Sequence, residues 1–205
     1  MKKIWTVVAV IALAAPAVSM AQLGGLLGGS KPAGNAGADV GTQQDSLVRN
    51  YVAAGKDVLT ANGHLAAALG IKAQAVDAAA TSDALSLKSV EANDKAISAD
   101  AAAISTALKS GAALKDGEAK VTYAKGLLSL AMGVKKYMSL GKDAQGFSSS
   151  LSGVSPLQMG KLQSGIYVAK NLPTSVTNLT DVLKNAVEFG KNNGVEIPKD
   201  ATSLL

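Results

Sequence analysis

The sequence has no cysteine among its 205 residues. That excludes a disulfide framework, a thiolate nucleophile, a cysteine-ligated metal and a lipid carried on an N-terminal Cys, so packing alone must hold the fold. Aromatic residues make up only 3%, with Trp5 the single Trp, and Ala dominates an apolar fraction of 48%. Ala is the best helix former and a poor strand former, and no run of alternating β-branched residues offers a sheet. The scarcity therefore points to an all-α protein.

Arginine occurs once, as Arg49, and histidine once, as His64. After residue 21 the lysines stand singly except for Lys135 and Lys136, without interleaved aromatics, which argues against a nucleic-acid surface. A hydrolase triad would have to use His64 as its base, yet no Ser-containing elbow exists. Asp57 lies two helical turns from His64, too far to share an ion without other ligands. Gly-Lys-Asp at Gly55 and Gly141 lacks the upstream Gly and the following Ser or Thr of a phosphate loop. The sequence thus predicts no catalytic, cofactor-binding or metal-binding residue, and a non-enzymatic protein.

Long apolar runs are also missing. Ile4 to Ala15 is about a dozen residues, short of the roughly 20 that span a bilayer. It follows Lys2 and Lys3 and precedes Pro16 and the small-residue site Ser19-Met20-Ala21, the pattern of a bacterial-style secretory signal over 1–21, cleaved after Ala21. Removing Lys2 and Lys3 lowers the formal charge from +5 to +3. The expected destination is the periplasm, with secretion or outer-membrane association as alternatives. Gly126 to Val134, between Lys125 and Lys135, is too short to be a transmembrane span in the mature chain.

What remains divides into a Gly-rich flexible leader over 22–41, a helical bundle domain over 42–194 and an extended tail over 195–205. Each leader Gly loses much backbone entropy on ordering. Its three leucines, Leu23, Leu26 and Leu27, leave a docking role open. Thr42 with Asp45 is a capping-box pattern, and Leu47, Tyr51, Ala54, Val58, Ala61, Leu65 and Ala68 then step by four and three to a stop at Gly70. Ile71 to Ala80 reads as a short helical continuation. Thr81-Ser82-Asp83 offers a cap for a second long helix carrying Leu87, Val90, Ile97, Ala101, Ile104 and Leu108, with Asp94 lying on the stripe and implying a partly open seam.

A third helix over Glu118 to Leu151 carries Leu127, Leu130, Val134, Tyr137, Gly141, Ala144, Ser148 and Leu151 on one face. Ser155-Pro156 starts a fourth. Its stripe keeps phase from Leu162 through Leu172 to Val187 across Pro173, so one helix bent near Pro173 is expected rather than two. The prediction is an up-and-down bundle of about four long helices with coiled-coil-like packing.

Tyr51, Gly55, Lys56 and Asp57 repeat as Tyr137, Gly141, Lys142 and Asp143, either a duplicated helical hairpin or an accident of Ala- and Gly-rich helices. Glycines inside the predicted helices, among them Gly55, Gly126, Gly133 and Gly141, each cost about 1 kcal/mol against Ala. Close helix approach would offset that, with local bends or looseness as alternatives. The reading that follows is a protein acting through a protein partner or self-association in the cell envelope. The second reading is a periplasmic carrier holding an apolar small molecule or lipid, with Leu127, Leu130, Val134, Tyr137 and Met138 as the pocket wall.

Overall fold

The computed structural model describes residues 36–72 and 78–205, with side chains from Asp39 onward. The signal segment expected over 1–21 and the part of the expected leader before residue 36 lie outside the described residues, as do 73–77. Helices α1 (Ala36–Leu69), α2 (Leu87–Lys109), α3 (Gly117–Ser139), α4 (Gly141–Ser150), α5 (Pro156–Met159), α6 (Gln163–Asn192) and α7 (Lys199–Thr202) contain most of it, with a 3-10 turn at Leu151–Gly153 and no strand among the described residues. Four of them are long: α1, α2, α3 and α6.

Starts and stops follow local chemistry. Ser86 caps α2 by accepting from the Ser89 N–H at 3.2 Å, and Asp116 caps α3 by accepting from the Ala119 N–H at 2.8 Å. Gly70, Gly111 and Gly194, all at positive φ, close α1, α2 and α6. Two expected starts differ. Helix α1 is already formed at Ala36, so Thr42 and Asp45 lie inside it and residues 36–41, expected to belong to the leader, are helical. Asp83, instead of capping α2, pairs with Lys56 at 2.6 Å.

The α1–α3 seam is the centre of the core. A Cβ added to Gly126 would lie 2.8 Å from Leu65 Cγ, and one on Gly133 would lie 2.6 Å from Val58 Cγ2. The pairs 126 with 65 and 133 with 58 run in opposite senses, so the two helices are antiparallel, and each Gly lets the facing helix close in. Gly55 is likewise pressed against Asn93 of α2. Gly141 and Gly146 face open space, so close approach accounts for the seam glycines and not for these.

Topology departs from the simple up-and-down order. The first part of α2 lies beside the middle of α1, through Asn93 at Gly55 and Asp83 at Lys56. Asp116 and Glu118, at the start of α3, share a groove with Ala67, Ala68 and Gly70 at the end of α1. The seven residues 110–116 reach at most roughly 25 Å, so α2 must end near the end of α1 and run in its direction. The two helices are therefore parallel and not a hairpin pair, and of the helical continuation expected over Ile71 to Ala80 the described residues show none: Ile71 and Lys72 are not helical and 78–81 form a turn. Antiparallel order resumes from α2 to α3 and from α3 to α6, where the Tyr123 hydroxyl donates to the Ala186 carbonyl at 2.9 Å.

The third predicted helix is broken at Leu140. From Tyr137 the buried stripe continues as Leu140, Ala144 and Phe147, one residue earlier than the extrapolated Gly141 and Ser148, which are exposed. The apolar Leu and the ring of Phe147 win the core over Gly and Ser. Ser155-Pro156 starts only the single turn α5, and α6 begins at Gln163 and passes through Pro173 as one helix. Gln44 ties this end together, donating to the Lys161 carbonyl and accepting from the Gly165 N–H at 3.1 Å. The tail is not extended throughout: Val195 is buried, α7 forms, and Ala201 is fully buried, while Leu205 stays exposed.

Candidate functional site

Two places stand out. The first is the outward side of α3. Its inward stripe, Tyr123, Leu127, Leu130, Val134 and Tyr137, is sealed in the core. On the opposite side Val121, Leu128 and Met132 are 57, 37 and 47% exposed. At 100° per residue these three, with exposed Lys125 and Lys135, fall within an arc of about 80°. Beside it runs a groove of about 590 Å³ between α3 and the segment leading into α7, where Ile197 and Pro198 face Val121 and Leu128 between Lys120, Lys125 and Lys199.

The second is a cleft of about 440 Å³ between α2 and α6, floored by Tyr137 of α3. Helix α2 brings Asp94, Ser98 and Ser105 to it, and α6 brings Tyr167, Asn171, Ser175, Asn178 and Asp181. Asp94 is half-buried and held in place from α1. The Tyr51 hydroxyl donates to its carboxylate at 2.8 Å and lies 3.1 Å from Ser175 Oγ, while the Tyr167 hydroxyl is close enough to act on the same carboxylate. Tyr51 meets Tyr137 edge to face, with centroids 4.8 Å apart and planes at 86°. Burial raises the Asp94 carboxyl above its ordinary range, and the donors from Tyr51 and Tyr167 oppose this only in part. Burial, and then the neighbouring Asp94 charge, push Tyr167 up to about 12. Tyr51 is raised further, by its burial first. All these phenols are neutral donors at ordinary pH.

The predicted pocket wall does not form as one. Leu127, Leu130 and Val134 are fully buried core, because the stripe that a cavity would need is filled by α1 and α6. Only Tyr137 and Met138 border open space, in an apolar groove of about 600 Å³ between α4 and α6 with Ala144, Leu172, Pro173 and Val176. His64 is half-buried on α1, and among the described residues no group of three or more His, Asp or Glu converges as a metal site. The Tyr51 and Tyr137 rings of the suspected repeat meet each other, but Gly55 is packed and Gly141 exposed, so the two halves are not equivalent in environment.

Asp94 was visible in the sequence as the charge on an apolar stripe. Ser175, Tyr167 and Asp181 were not, since nothing local marks them. Comparison with protein-family models, with curated proteins and with solved structures gives no match.

Proposed function

We propose that this chain is an exported, non-enzymatic helical bundle of the bacterial cell envelope that works by offering the outward face of α3 to a partner protein. Export rests on the signal pattern over 1–21. The observation that carries the interaction is the exposed row Val121, Leu128 and Met132, set between lysines on a helix whose other side is core. We read the row together with the adjoining Ile197–Pro198 groove as one apolar patch rimmed by lysines, the form that interaction sites take. No helix among the described residues is long and apolar enough to cross a membrane.

Charge selects the kind of partner. Lys120, Lys125 and Lys199 frame the groove against the single acid Glu196. In a twofold self-dimer the patch would face its own lysines, which is repulsive. An apolar segment flanked by Asp or Glu fits better. The double variant Leu128→Glu, Met132→Glu tests this: it should keep wild-type helicity and melting while losing the partner, identified as a protein with such a segment. An unchanged complex, a self-dimer or binding only to anionic vesicles contradicts the reading.

A second reading, a carrier for an apolar molecule or lipid, draws support from the Met138–Val176 groove between α4 and α6. Native mass spectrometry of protein from its own host separates the two. A co-purifying lipid supports the carrier, and an empty chain counts against it.

A further inference from the structure

We infer that the cleft between α2 and α6 binds a linear diamine or polyamine, with one ammonium at Asp94 and a second at Asp181. The inference is independent of the α3 face, with which the cleft shares no residue.

Charge is the first argument. The chain carries 20 basic and 15 acidic residues, yet this cleft is lined by two carboxylates and by no Lys, Arg or His. An anion would meet only like charge. A cation meets Asp94, Asp181 and a set of neutral acceptors in Ser98, Asn171, Ser175 and Asn178.

Preorganisation is the second. Asp94 is fixed by Tyr51 from α1, and Tyr51 is itself held by Ser175 of α6 and by the edge of Tyr137 from α3. Four helices thus agree on one carboxylate position, so an incoming ammonium does not have to order it. The Tyr167 ring beside it adds an aromatic wall of the kind that attracts cations. The carboxylate already bears the desolvation of its half-buried site, and a bound ammonium offsets that cost directly.

Spacing is the third, and it names the class. Ser175 marks the level of Asp94 on α6, and Asp181 lies six residues further on, a rise of about 9 Å. Asp94 is half-buried in the cleft and Asp181 stands exposed at its rim, and the volume of about 440 Å³ is in the range of small-ligand sites. A flexible alkyl chain with an amine at each end can follow that rise along α6 from one acid to the other, and the intervening Ile97, Ala101 and Leu179 offer it an apolar path.

The test is calorimetric titration of the whole chain with 1,5-diaminopentane and spermidine, with butylamine and 1,5-pentanediol as controls. The diamine should bind at least tenfold more tightly than butylamine, and the diol should not bind. Asp94→Asn, checked for wild-type helicity, should lose at least tenfold in diamine affinity. Asp181→Asn should bind the diamine no better than wild type binds butylamine, because the second contact is gone. Equal binding to wild type and Asp94→Asn, binding of the diol, or no heat with either amine would overturn the inference.

Discussion

The Tyr51 hydroxyl donates to both carboxylate oxygens of Asp94, at 2.8 and 3.0 Å, across the junction of α1 and α2. This pair sets the electrostatics of the cleft. Desolvation of Asp94 outweighs the hydrogen bonds from Tyr51 and Tyr167, so the carboxyl of the folded chain titrates above its ordinary 3.8. A raised acid costs stability when ionised. That cost is absent below the unfolded value and grows as pH rises through the window up to the folded one. Asp94→Asn keeps an acceptor for Tyr51 and removes the ionisation. The variant should melt above wild type at pH 7, and its advantage should fade as pH falls to about 3. Thermal melts across that range check it, and a wild-type advantage at pH 7 would contradict it.

Gly126 and Gly146 should respond in opposite directions to the same change. A Cβ at Gly126 meets Leu65 Cγ at 2.8 Å and the Leu65 backbone N at 3.1 Å, so Gly126→Ala forces α1 and α3 apart and should cost about 1–3 kcal/mol. Gly146 lies inside α4 with nothing within 4 Å, and Gly146→Ala should gain about 0.5–1 kcal/mol from helix propensity. Urea unfolding of both variants measures the contrast.

Asn62 is fully buried on α1, and neither its amide nitrogen nor its carbonyl oxygen has a partner. Burying such a group unpaired costs about 1–3 kcal/mol. Asn62→Leu, which keeps the branched four-atom side chain and removes both polar groups, should therefore raise stability by an amount of that order. A loss on substitution would show that the amide is satisfied in solution.

Processing should leave Gln22 as the first residue. Intact-mass measurement of the chain recovered from a bacterial envelope fraction should give the mass of residues 22–205, and recovery of the uncleaved chain from the cytosol would contradict export.

The helical class and the buried stripes were legible because they depend on spacing alone: Leu47 to Leu65 on α1 and Leu127 to Tyr137 on α3 are core as the pattern requires. The same pattern cannot tell a core wall from a cavity wall, which is why Leu127, Leu130 and Val134 read equally well as a pocket. Direction was not legible either. The stretch of sequence between Leu69 and Leu87 is long enough for α2 to run either way beside α1, and the cleft that joins Asp94 to Ser175 and Asp181 exists only because α2 runs parallel to α1. The break at Leu140 was hidden because Gly141 and Ser148 continue the three-four rhythm while carrying no apolar side chain to bury.

The α3 face is tested most directly by a photo-crosslinking residue at Leu128, with the same residue at exposed Lys109 of α2 as the control, in cells of the native host. The account predicts one cross-linked protein at Leu128 and none at Lys109, with the joined peptide apolar and flanked by acids, and loss of the product when Met132 is changed to Glu. Equal products at both positions, or a cross-link only to a second copy of this chain, would contradict it.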